Sequence, residues 1–439
     1  MPQSSSRKEF SLPEGTHTVV MGVGDANGIM RGKRIPASHW EAVCREGNAL
    51  SASLFAIDVT CDIWDTPYVN FDNGYPDMHI FPYGEPFALP WEPGVAMVMG
   101  RAEDMAHQPV PIDPRNVLLR QLDRAEAMGY EIKIGTELEF FLLDPETMQP
   151  KDKGIQVYGL ERAAELEHVL GPIRRQINAC GIPIEQSNPE YAPGQVEVNI
   201  RYDDALIAAD RVVIFRSLVK QLALAHGYKA TFMAKPFFEL SGNGFHAHYS
   251  LWKDGVNVFA DNGKINATGL SFIAGLQSRM AETSVCGAST VNGYRRRQPD
   301  SFCPINASWG IDNRTAGLRV IEGKDSAVRV EKRDAGADCN PYLLLATDIA
   351  AGLDGIEQAM TPGPRSDGNA YKDTTLDPLP LDLGDAIARA RASDWLKDVM
   401  TEIQWEMYLQ MCEREWQFYL DDINNRVSAF ERDRYMGNF

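Results

Sequence analysis

Two glutamates one residue apart in a strand pattern are the first sign of chemistry in this sequence. Apolar side chains alternate along residues 133–143, "KIGTELEFFLL", so Glu137 and Glu139 share one face while Ile134 and Leu138 share the other. Two carboxylates on one face repel each other unless a positive charge lies nearby. A divalent cation bound between them would supply that charge, and structural ion pairs with arginines are the alternative.

Four more strand patterns bury one face and carry polar side chains on the other. These patterns are "GQVEVNI", "GFHAHYSLW", "GLRVI" and "VRVEKR". One polar face is also typical of an antiparallel sheet with a single side in water. Five such strands together indicate the wall of a pocket. The polar side chains that project from the four patterns are Glu197, His246, His248, Ser250, Arg319, Arg329, Glu331 and Arg333.

The types of these side chains indicate a metal ion and a phosphate. Carboxylate oxygens with an imidazole suit Mg²⁺ or Mn²⁺, and the absence of cysteine from the set disfavours zinc. Guanidinium groups bind phosphate oxygens and stabilise a phosphoryl group in transfer. The sequence has no P-loop, and the glycines of residues 22–28, "GVGDANG", lack the spacing of a nucleotide fingerprint. A nucleotide would therefore be bound by other means.

The composition excludes several classes of protein. The chain has 439 residues and a formal net charge of -18, which argues against a nucleic-acid partner. Its seven cysteines include no C-x-x-C pair, which argues against a disulfide framework and a zinc site. The first residues lack an apolar signal core, and no apolar run reaches the length of about 18 residues that a membrane helix needs. We therefore expect a cytoplasmic protein without a membrane partner.

The elements that must position these residues indicate an α+β protein of two domains. Residues 1–105 hold short apolar runs and a turn-rich loop, which predicts a small sheet-rich domain. Residues 106–439 begin with a proline-containing linker, alternate strand patterns with long helical patterns and contain no internal repeat. Helices are predicted from Asp113 and Pro114 to Gly129, over about 204–226, from Asn340 and Pro341 onward, and over 384–437.

Five motifs in a fixed order connect the sequence to a known family. The motifs are "GTELEFFL", "EYAPGQVEV", "NGFHAHYSL", "DNRTAGLRV" and "RVEKRDAGADCNPYLLLA". On these motifs the chain resembles the glutamine synthetase family from about residue 19 to its end. The resemblance implies a β-grasp-like domain at 1–105 and a catalytic domain at 106–439, with a curved, mainly antiparallel sheet flanked by helices. It also implies a homo-oligomer, a dodecamer of two stacked hexameric rings with sites between subunits.

The resemblance further implies an activity and the residues that perform it. Family members use ATP to phosphorylate the γ-carboxylate of L-glutamate, and an amine then displaces phosphate from the acyl phosphate; Mg²⁺ or Mn²⁺ ions assist at two or more positions. The implied metal ligands are Glu139, Glu190 and Glu197 for one ion and Glu137, His246 and Glu331 for the other. The implied ATP contacts are His248, Ser250, Arg314, Arg319 and Arg329, and the implied glutamate contacts are Gly242, Arg296, Arg333 and His246.

One departure from the family lies in the flap that closes the site. Phe302 stands where glutamine synthetases carry a glutamate that helps to bind and deprotonate ammonium, and in this the chain resembles the γ-glutamylpolyamine and γ-glutamylmonoamine synthetases. An aromatic side chain there suits an amine with carbon on its nitrogen. The alternative is that Phe302 only packs the flap while Asp300 or another acid does the work. Phe302 and Arg314 are thus two of the three candidate catalytic residues.

The N-terminal loop of residues 56–82 departs as well, because the ammonium loop of the family is not recognisable in it. Asp58 is the third candidate catalytic residue, with Asp62 and Asp65 as other acids of the same loop. The aromatic side chains nearby form either an apolar or cation–π wall for an organic amine or a contact between subunits. These aromatic residues are Trp64, Tyr68 and Tyr75.

Three hypotheses follow. The leading one is a Mg²⁺- or Mn²⁺-dependent ligase that uses ATP to join L-glutamate to an organic amine, either a polyamine or a monoamine. The second is an ammonia-dependent glutamine synthetase, which the missing flap glutamate disfavours. The third is a non-catalytic structural or regulatory relative, which the complete set of metal ligands and arginines disfavours.

Overall fold

The α+β class is confirmed by the computed structural model, which describes residues 9–151, 154, 157–376 and 378–436. Within these residues the chain forms a five-stranded sheet, a nine-stranded sheet, a two-stranded hairpin and helices packed on the sheets. Four short 3-10 helices lie at Ala37–His39, Ala52–Ala56, Asp325–Ala327 and Ala370–Lys372.

The five-stranded sheet lies near the N-terminus. Its strands are β1 (Thr18–Gly24), β2 (Met30–Pro36), β3 (Asn48–Ser51), β4 (Asp77–Ala88) and β5 (Val95–Glu103). The spatial order is β2-β1-β5-β4-β3, with β1 parallel to β5 at the centre and the other neighbours antiparallel. This sheet corresponds to the sheet-rich region expected in the first part of the chain. The domain boundary at residue 105 stays a prediction.

The nine-stranded sheet, called the large sheet below, carries the polar faces that the sequence indicated. Its order is β14-β15-β16-β10-β6-β8-β7, with β11 beside β10 and β9 beside β6. Every pair is antiparallel apart from β14 and β15. The strands from β6 onward, including the hairpin β12 and β13, are β6 (Glu131–Leu143), β7 (Ile184–Pro189), β8 (Gln195–Asp204), β9 (Lys229–Thr231), β10 (Gly244–Lys253), β11 (Val256–Asn257), β12 (Ala260–Asp261), β13 (Lys264–Ile265), β14 (Trp309–Ile311), β15 (Leu318–Ile321) and β16 (Arg329–Gly336).

The predicted helices are confirmed, together with the residues expected to begin them. The helices are α1 (Trp40–Glu46), α2 (Pro114–Ala127), α3 (Leu160–Ala179), α4 (Ala205–Ala225), α5 (Ala267–Arg279), α6 (Ser284–Gly287), α7 (Val291–Tyr294), α8 (Pro341–Glu357), α9 (Leu383–Arg391), α10 (Asp394–Met400), α11 (Glu402–Asn424) and α12 (Ala429–Tyr435). Asp113 accepts a hydrogen bond from Arg115 N at the start of α2, and Asn340 accepts from Tyr342 N at the start of α8. Residue 437, where the helical tail was predicted to end, lies outside the described residues. Among those described, no helix combines the length and apolar character needed to cross a membrane.

Helices α2, α4 and α8 pack against one another behind the large sheet. The side chains of Ile134, Leu138 and Phe140 on β6 are fully buried on this side. Arg115 of α2 donates to both carboxylate oxygens of Asp210 on α4, at 3.0 and 2.9 Å, and Tyr342 of α8 donates to the same carboxylate at 2.7 Å. Because one face of β6 is thus committed to the core, its glutamates must face the other way.

Candidate functional site

The register of the strands brings the predicted polar residues together. On β6, Glu137 lies opposite His246 of β10, and Glu139 lies opposite Glu197 of β8. Glu331 of β16 completes the row, because it pairs with His248 on one side. On its other side it pairs with Arg319 of β15. Side chains of directly opposed residues share a face at short distance, so five strands present their polar groups to one region.

Glu139, Glu190 and Glu197 form the first group, called the three-glutamate cluster. One carboxylate oxygen of each lies within 4.8 Å of the others. Burial raises the pKa of Glu197, and the negative charges of Glu137, Glu190 and Glu139 raise it further. Burial, and then the charge of Glu139, also raise the pKa of Glu190. Half-buried carboxylates that repel one another in this way fit a hard divalent cation, since bound metal would remove the repulsion.

The second group, the histidine-glutamate cluster, contains Glu137, His248 and Glu331, with ligand atoms within 4.8 Å of one another. His246 adjoins it, because its Nδ1 lies 3.1 Å from Glu137 Oε2 and 3.5 Å from Glu331 Oε1. His248 Nε2 lies 2.9 Å from Glu137 Oε1. The structure therefore brings both histidines to these carboxylates, whereas the resemblance implied a ligand role for His246 alone. The donor set suits Mg²⁺ or Mn²⁺.

The electrostatics of the second cluster differ from those of the first. Burial alone would raise the pKa of Glu137, but hydrogen bonds with His246 and His248 outweigh it and hold the pKa well below its usual range. Glu331 is fully buried, and the charges of Arg333, His248 and His246 likewise lower its pKa against the effect of burial. This cluster is therefore compensated by cations of the chain itself, whereas the three-glutamate cluster is not.

Arginines line the side of the histidine-glutamate cluster. Arg319 donates to Glu331 Oε2 at 3.0 Å and to Asp312, and Arg333 also donates to Glu331. Arg329 Nε lies 3.3 Å from His248 Nδ1. Arg333 Nε is buried and has no partner among the described residues. These guanidinium groups could reorient toward the oxygens of a phosphate or a carboxylate.

Two of the residues expected to contact ATP, Arg314 and Ser250, belong to neither cluster. Arg314 is exposed in the loop between β14 and β15. Ser250 lies at the far end of β10, where its hydroxyl accepts a hydrogen bond from Trp252 Nε1 at 2.9 Å. Neither residue contacts the clusters directly, so the structure leaves their nucleotide role as a prediction.

Gly242 and Gly244 lie against Arg296, which was expected to bind the amino acid. A Cβ atom on Gly242 would lie 2.6 Å from Arg296 Cγ and 2.7 Å from Ala234 O. A Cβ on Gly244 would lie 2.9 Å from Arg296 Nη2. Arg296 is buried and donates to Ala335 O at 2.7 Å. Glycine is therefore required here by the close approach of this arginine.

The flap residues Asp300 and Phe302 both have left-handed backbone conformations, with φ of 61° and 59°. A bulky side chain rarely adopts this conformation, and such strain occurs often at functional sites. The side chain of Phe302 is 56% exposed. About half of the side chain is therefore open to contact within this chain, and the choice between an amine contact and packing of the flap stays a prediction. Tyr371 anchors the flap by donating to Cys303 O at 3.1 Å.

In the N-terminal loop, the Asp58 carboxylate is engaged by hydrogen bonds within the loop itself. Asp58 Oδ1 accepts from Thr60 N at 2.8 Å and from Asp62 N at 2.9 Å, so the carboxylate shapes its own turn. Asp58 also lines a small cleft with Glu415 of α11, outside the site. The expectation that Trp64 forms a wall for the amine is wrong, because its side chain is only 4% exposed and packs in the core.

Tyr158 adjoins the turn that carries Glu190, and the sequence reasoning did not single it out. Its backbone N donates to Pro189 O at 3.1 Å, next to Glu190, and its side chain is 60% exposed. Partial burial and then the negative charges of Glu190 and Glu197 raise the pKa of its phenol. No periodic pattern surrounds Tyr158 in the sequence, and only its place before helix α3 could have drawn notice.

Comparisons with known proteins agree with this geometry. The family model described as glutamine synthetase, catalytic domain, matches residues 111–435. A glutamate–isopropylamine ligase from Pseudomonas sp. is 33% identical over 98% of this chain and 97% of its own. A γ-glutamylethanolamide synthetase, GlnA4, from Streptomyces coelicolor is 35% identical over 81% and 79%, and a glutamine synthetase from Thermococcus kodakarensis is 32% identical over 94% of both. A solved structure of GmaS with ADP superposes with a TM-score of 0.85, at 29% identity over 97% of both chains.

Proposed function

Because the chain belongs to the glutamine synthetase family, we propose that it is an ATP-dependent ligase that joins the γ-carboxylate of L-glutamate to an organic amine. The observation that carries the proposal is the pair of adjoining carboxylate clusters with arginines beside them on one face of the large sheet. Two relatives that match most of the chain are named for organic amines. The enzyme is thus a carbon-nitrogen ligase that forms ADP and phosphate.

Membership of this family implies ATP as a substrate and a divalent metal ion. We assign Mg²⁺ or Mn²⁺, since the donors are oxygens and imidazole nitrogens. Glu139, Glu190 and Glu197 would hold one ion. Glu137, His246 and Glu331 would hold another, with His248 adjacent. Bound metal would neutralise phosphate oxygens and stabilise the charge of the phosphoryl group in transfer.

The residues of the chain would position the substrates for two displacements. Arg296 and Arg333 bind L-glutamate, while Arg319, Arg329 and Arg314 bind the phosphates. An oxygen of the γ-carboxylate attacks the γ-phosphorus of ATP, and the bond from that phosphorus to the leaving ADP oxygen breaks. The amine nitrogen then attacks the carbonyl carbon of γ-glutamyl phosphate. The carbon–oxygen bond to phosphate breaks, and the nitrogen gives up a proton.

Phe302 supports an organic amine over ammonium. It offers apolar surface in the flap where glutamine synthetases have a carboxylate, and its side chain is exposed and available for contact. An alkylammonium carries both charge and carbon, so an aromatic face suits it better than it suits ammonium. A neutral amine is needed for attack, and alkylamines have a pKa of about 10, so the site must also accept a proton.

An ammonia-dependent glutamine synthetase is the second candidate function. A relative of that name covers 94% of this chain at 32% identity, so overall similarity does not separate the two activities. The flap residue favours the organic amine, because ammonium has no carbon to contact Phe302. A non-catalytic role is disfavoured by the complete set of predicted ligands.

The proposed enzyme is a homo-oligomer, a dodecamer of two stacked hexameric rings. The resemblance to the family supports this assembly, as does the position of Asp58. Asp58 lines a cleft that contains no member of either cluster, so its catalytic role would require the site of a neighbouring subunit. Sedimentation of the purified protein measures the assembly directly.

The function is tested by phosphate release with ATP, Mg²⁺ and L-glutamate across ammonium, methylamine, isopropylamine, ethanolamine, putrescine, spermidine and aniline. We expect an organic amine to support much faster release than ammonium. Faster release with ammonium would establish the second candidate. Release with none of the amines would overturn both activities.

A further inference from the structure

The side chain of Gln195 bridges two loops of the candidate site. Gln195 is the first residue of β8 and is 1% exposed. Its Nε2 donates to Gly242 O and to Asn243 Oδ1, both at 3.0 Å, and its Oε1 accepts from Ala192 N at 3.2 Å. Both donors and one acceptor position of this buried amide are therefore used, and each bond has a fixed direction.

One end of the bridge is the turn that carries Glu190. The backbone of Gln195 closes this turn, because Glu190 N donates to Gln195 O at 2.9 Å and Gln195 N donates to Ala192 O at 3.0 Å. Glu197 follows two residues later on the same strand. Gln195 thus lies between two members of the three-glutamate cluster.

The other end is the loop that packs against Arg296. Asn243 is fully buried, and its Nδ2 donates to Met233 O at 2.8 Å. Gly242 has no room for a Cβ beside Arg296, so a small movement of this loop would displace the arginine. The next residue, Gly244, contacts the three-glutamate cluster, because its N donates to Glu139 Oε2 at 2.6 Å.

We propose that Gln195 is a positioning residue that couples metal binding at the three-glutamate cluster to L-glutamate binding beside Arg296. The proposal rests on the function proposed above. When the cluster closes around a cation, the turn at Glu190 becomes fixed, and the amide of Gln195 fixes Gly242 and Asn243 in turn. Coupling between sites is reciprocal, so L-glutamate tightens Mn²⁺ binding by the factor by which Mn²⁺ tightens L-glutamate binding.

The test compares Gln195→Met with the matched control Gln404→Met. Gln404 is also fully buried, but its side-chain amide has no hydrogen-bond partner among the described residues and lies on α11. For Gln195→Met we expect the KM for L-glutamate to rise about tenfold, as loss of its hydrogen bonds predicts, while kcat changes by less than about threefold. Calorimetric titration of Mn²⁺, with and without L-glutamate, should show coupling in the wild type and in Gln404→Met. The coupling factor of Gln195→Met should fall toward one.

Several outcomes would overturn the assignment. If Gln195→Met keeps the KM and the Mn²⁺ coupling of Gln404→Met, Gln195 has no positioning role. Should Gln195→Met fail to fold, Gln195→Glu replaces it, because it keeps the size of the side chain and removes both donors; wild-type coupling in that variant would overturn the role equally. If the wild-type protein releases no phosphate with any amine, the proposed function is overturned and this role with it. If the wild type is active and the variant is unaffected, the role alone is overturned.

Discussion

The large sheet and the loops around it build the two halves of the proposed site by different means. On the sheet, Glu137 and Glu139 occupy positions set by strand pairing, with His246 and Glu197 as their direct partners. On the loop side, Phe302 is exposed with a left-handed backbone, and Asp58 mainly stabilises its own turn. The sheet therefore fixes the groups proposed for phosphoryl transfer, while the proposed amine contacts lie on loops, which vary more readily.

The two carboxylate clusters show a second difference within the sheet half. Arg319 and Arg333 donate to Glu331 in one cluster, whereas in the three-glutamate cluster burial and neighbouring negative charges raise the pKa of Glu190 and Glu197. A cation should therefore stabilise the three-glutamate cluster more strongly, since it has no cationic side chain of its own among these contacts.

Removal of Glu331 should have the largest effect. Glu331→Ala deletes a fully buried carboxylate that contacts Arg319, Arg333 and His246, and we expect phosphate release to fall by about a thousandfold or more with every amine. The exposed Glu402, which pairs with Lys397, supplies the control Glu402→Ala, whose activity should be unchanged. Circular dichroism checks that both variants fold. Wild-type turnover in a folded Glu331→Ala would remove this residue from the site.

Glu197→Gln tests whether metal binds at the three-glutamate cluster, through its effect on Mn²⁺ affinity. In the wild type, saturating Mn²⁺ should raise the melting temperature, since a ligand that binds only the folded state stabilises it by about 2.7 kcal/mol at a hundred times its Kd. The variant loses a charged ligand, and we expect its Mn²⁺ affinity to fall by about tenfold or more. Thermal unfolding with Mn²⁺ and with chelator measures both. An identical Mn²⁺ response in the two proteins would contradict a metal site at Glu197.

Phe302→Glu tests the part of the proposed site that the loops form. Restoring a carboxylate to the flap should raise the ratio of ammonium to organic-amine turnover by about tenfold, because it offers ammonium a charge partner and removes apolar surface. Phe302→Leu keeps the apolar character and should leave the ratio near that of the wild type. An equal ratio in all three proteins would mean that amine choice lies elsewhere.

Asp58→Asn should produce the smallest change. Asparagine keeps the Oδ1 acceptor for Thr60 N and Asp62 N, so we expect the melting temperature to stay within about 2 °C of the wild type. Turnover with the preferred amine should fall by about tenfold at most, since any charge effect acts on one substrate alone. A loss of turnover as large as that of Glu331→Ala would mean that the loop is as essential to activity as the sheet, which would contradict the difference drawn between them.

The sequence predicted the local structure better than the contacts between distant segments. Alternation placed Glu137 and Glu139 on one face, and Asp113 and Asn340 were recognised as helix caps from their chemistry. Strand register was not predictable, because the pairing of Glu139 with Glu197 joins segments far apart in the chain. The family resemblance, rather than periodicity, supplied those partners.

The errors and omissions have physical reasons too. Trp64 was predicted to line either an amine wall or a contact between subunits, but its large apolar side chain joins the core instead. Tyr158 lies in a polar segment without periodicity, where only the folded chain shows that it adjoins Glu190. The role of Gln195 has no local signal in the sequence, because its amide bonds to Gly242 and Asn243, which are distant in the chain.

A competition experiment with the wild-type protein measures most directly which amine is joined to L-glutamate. ATP, Mg²⁺, L-glutamate and equal concentrations of ammonium and the organic amines are incubated together, and the products are identified by mass spectrometry. We expect a γ-glutamylamide of one organic amine as the main product, with one ADP and one phosphate released for each amide formed. Glutamine as the main product would contradict it.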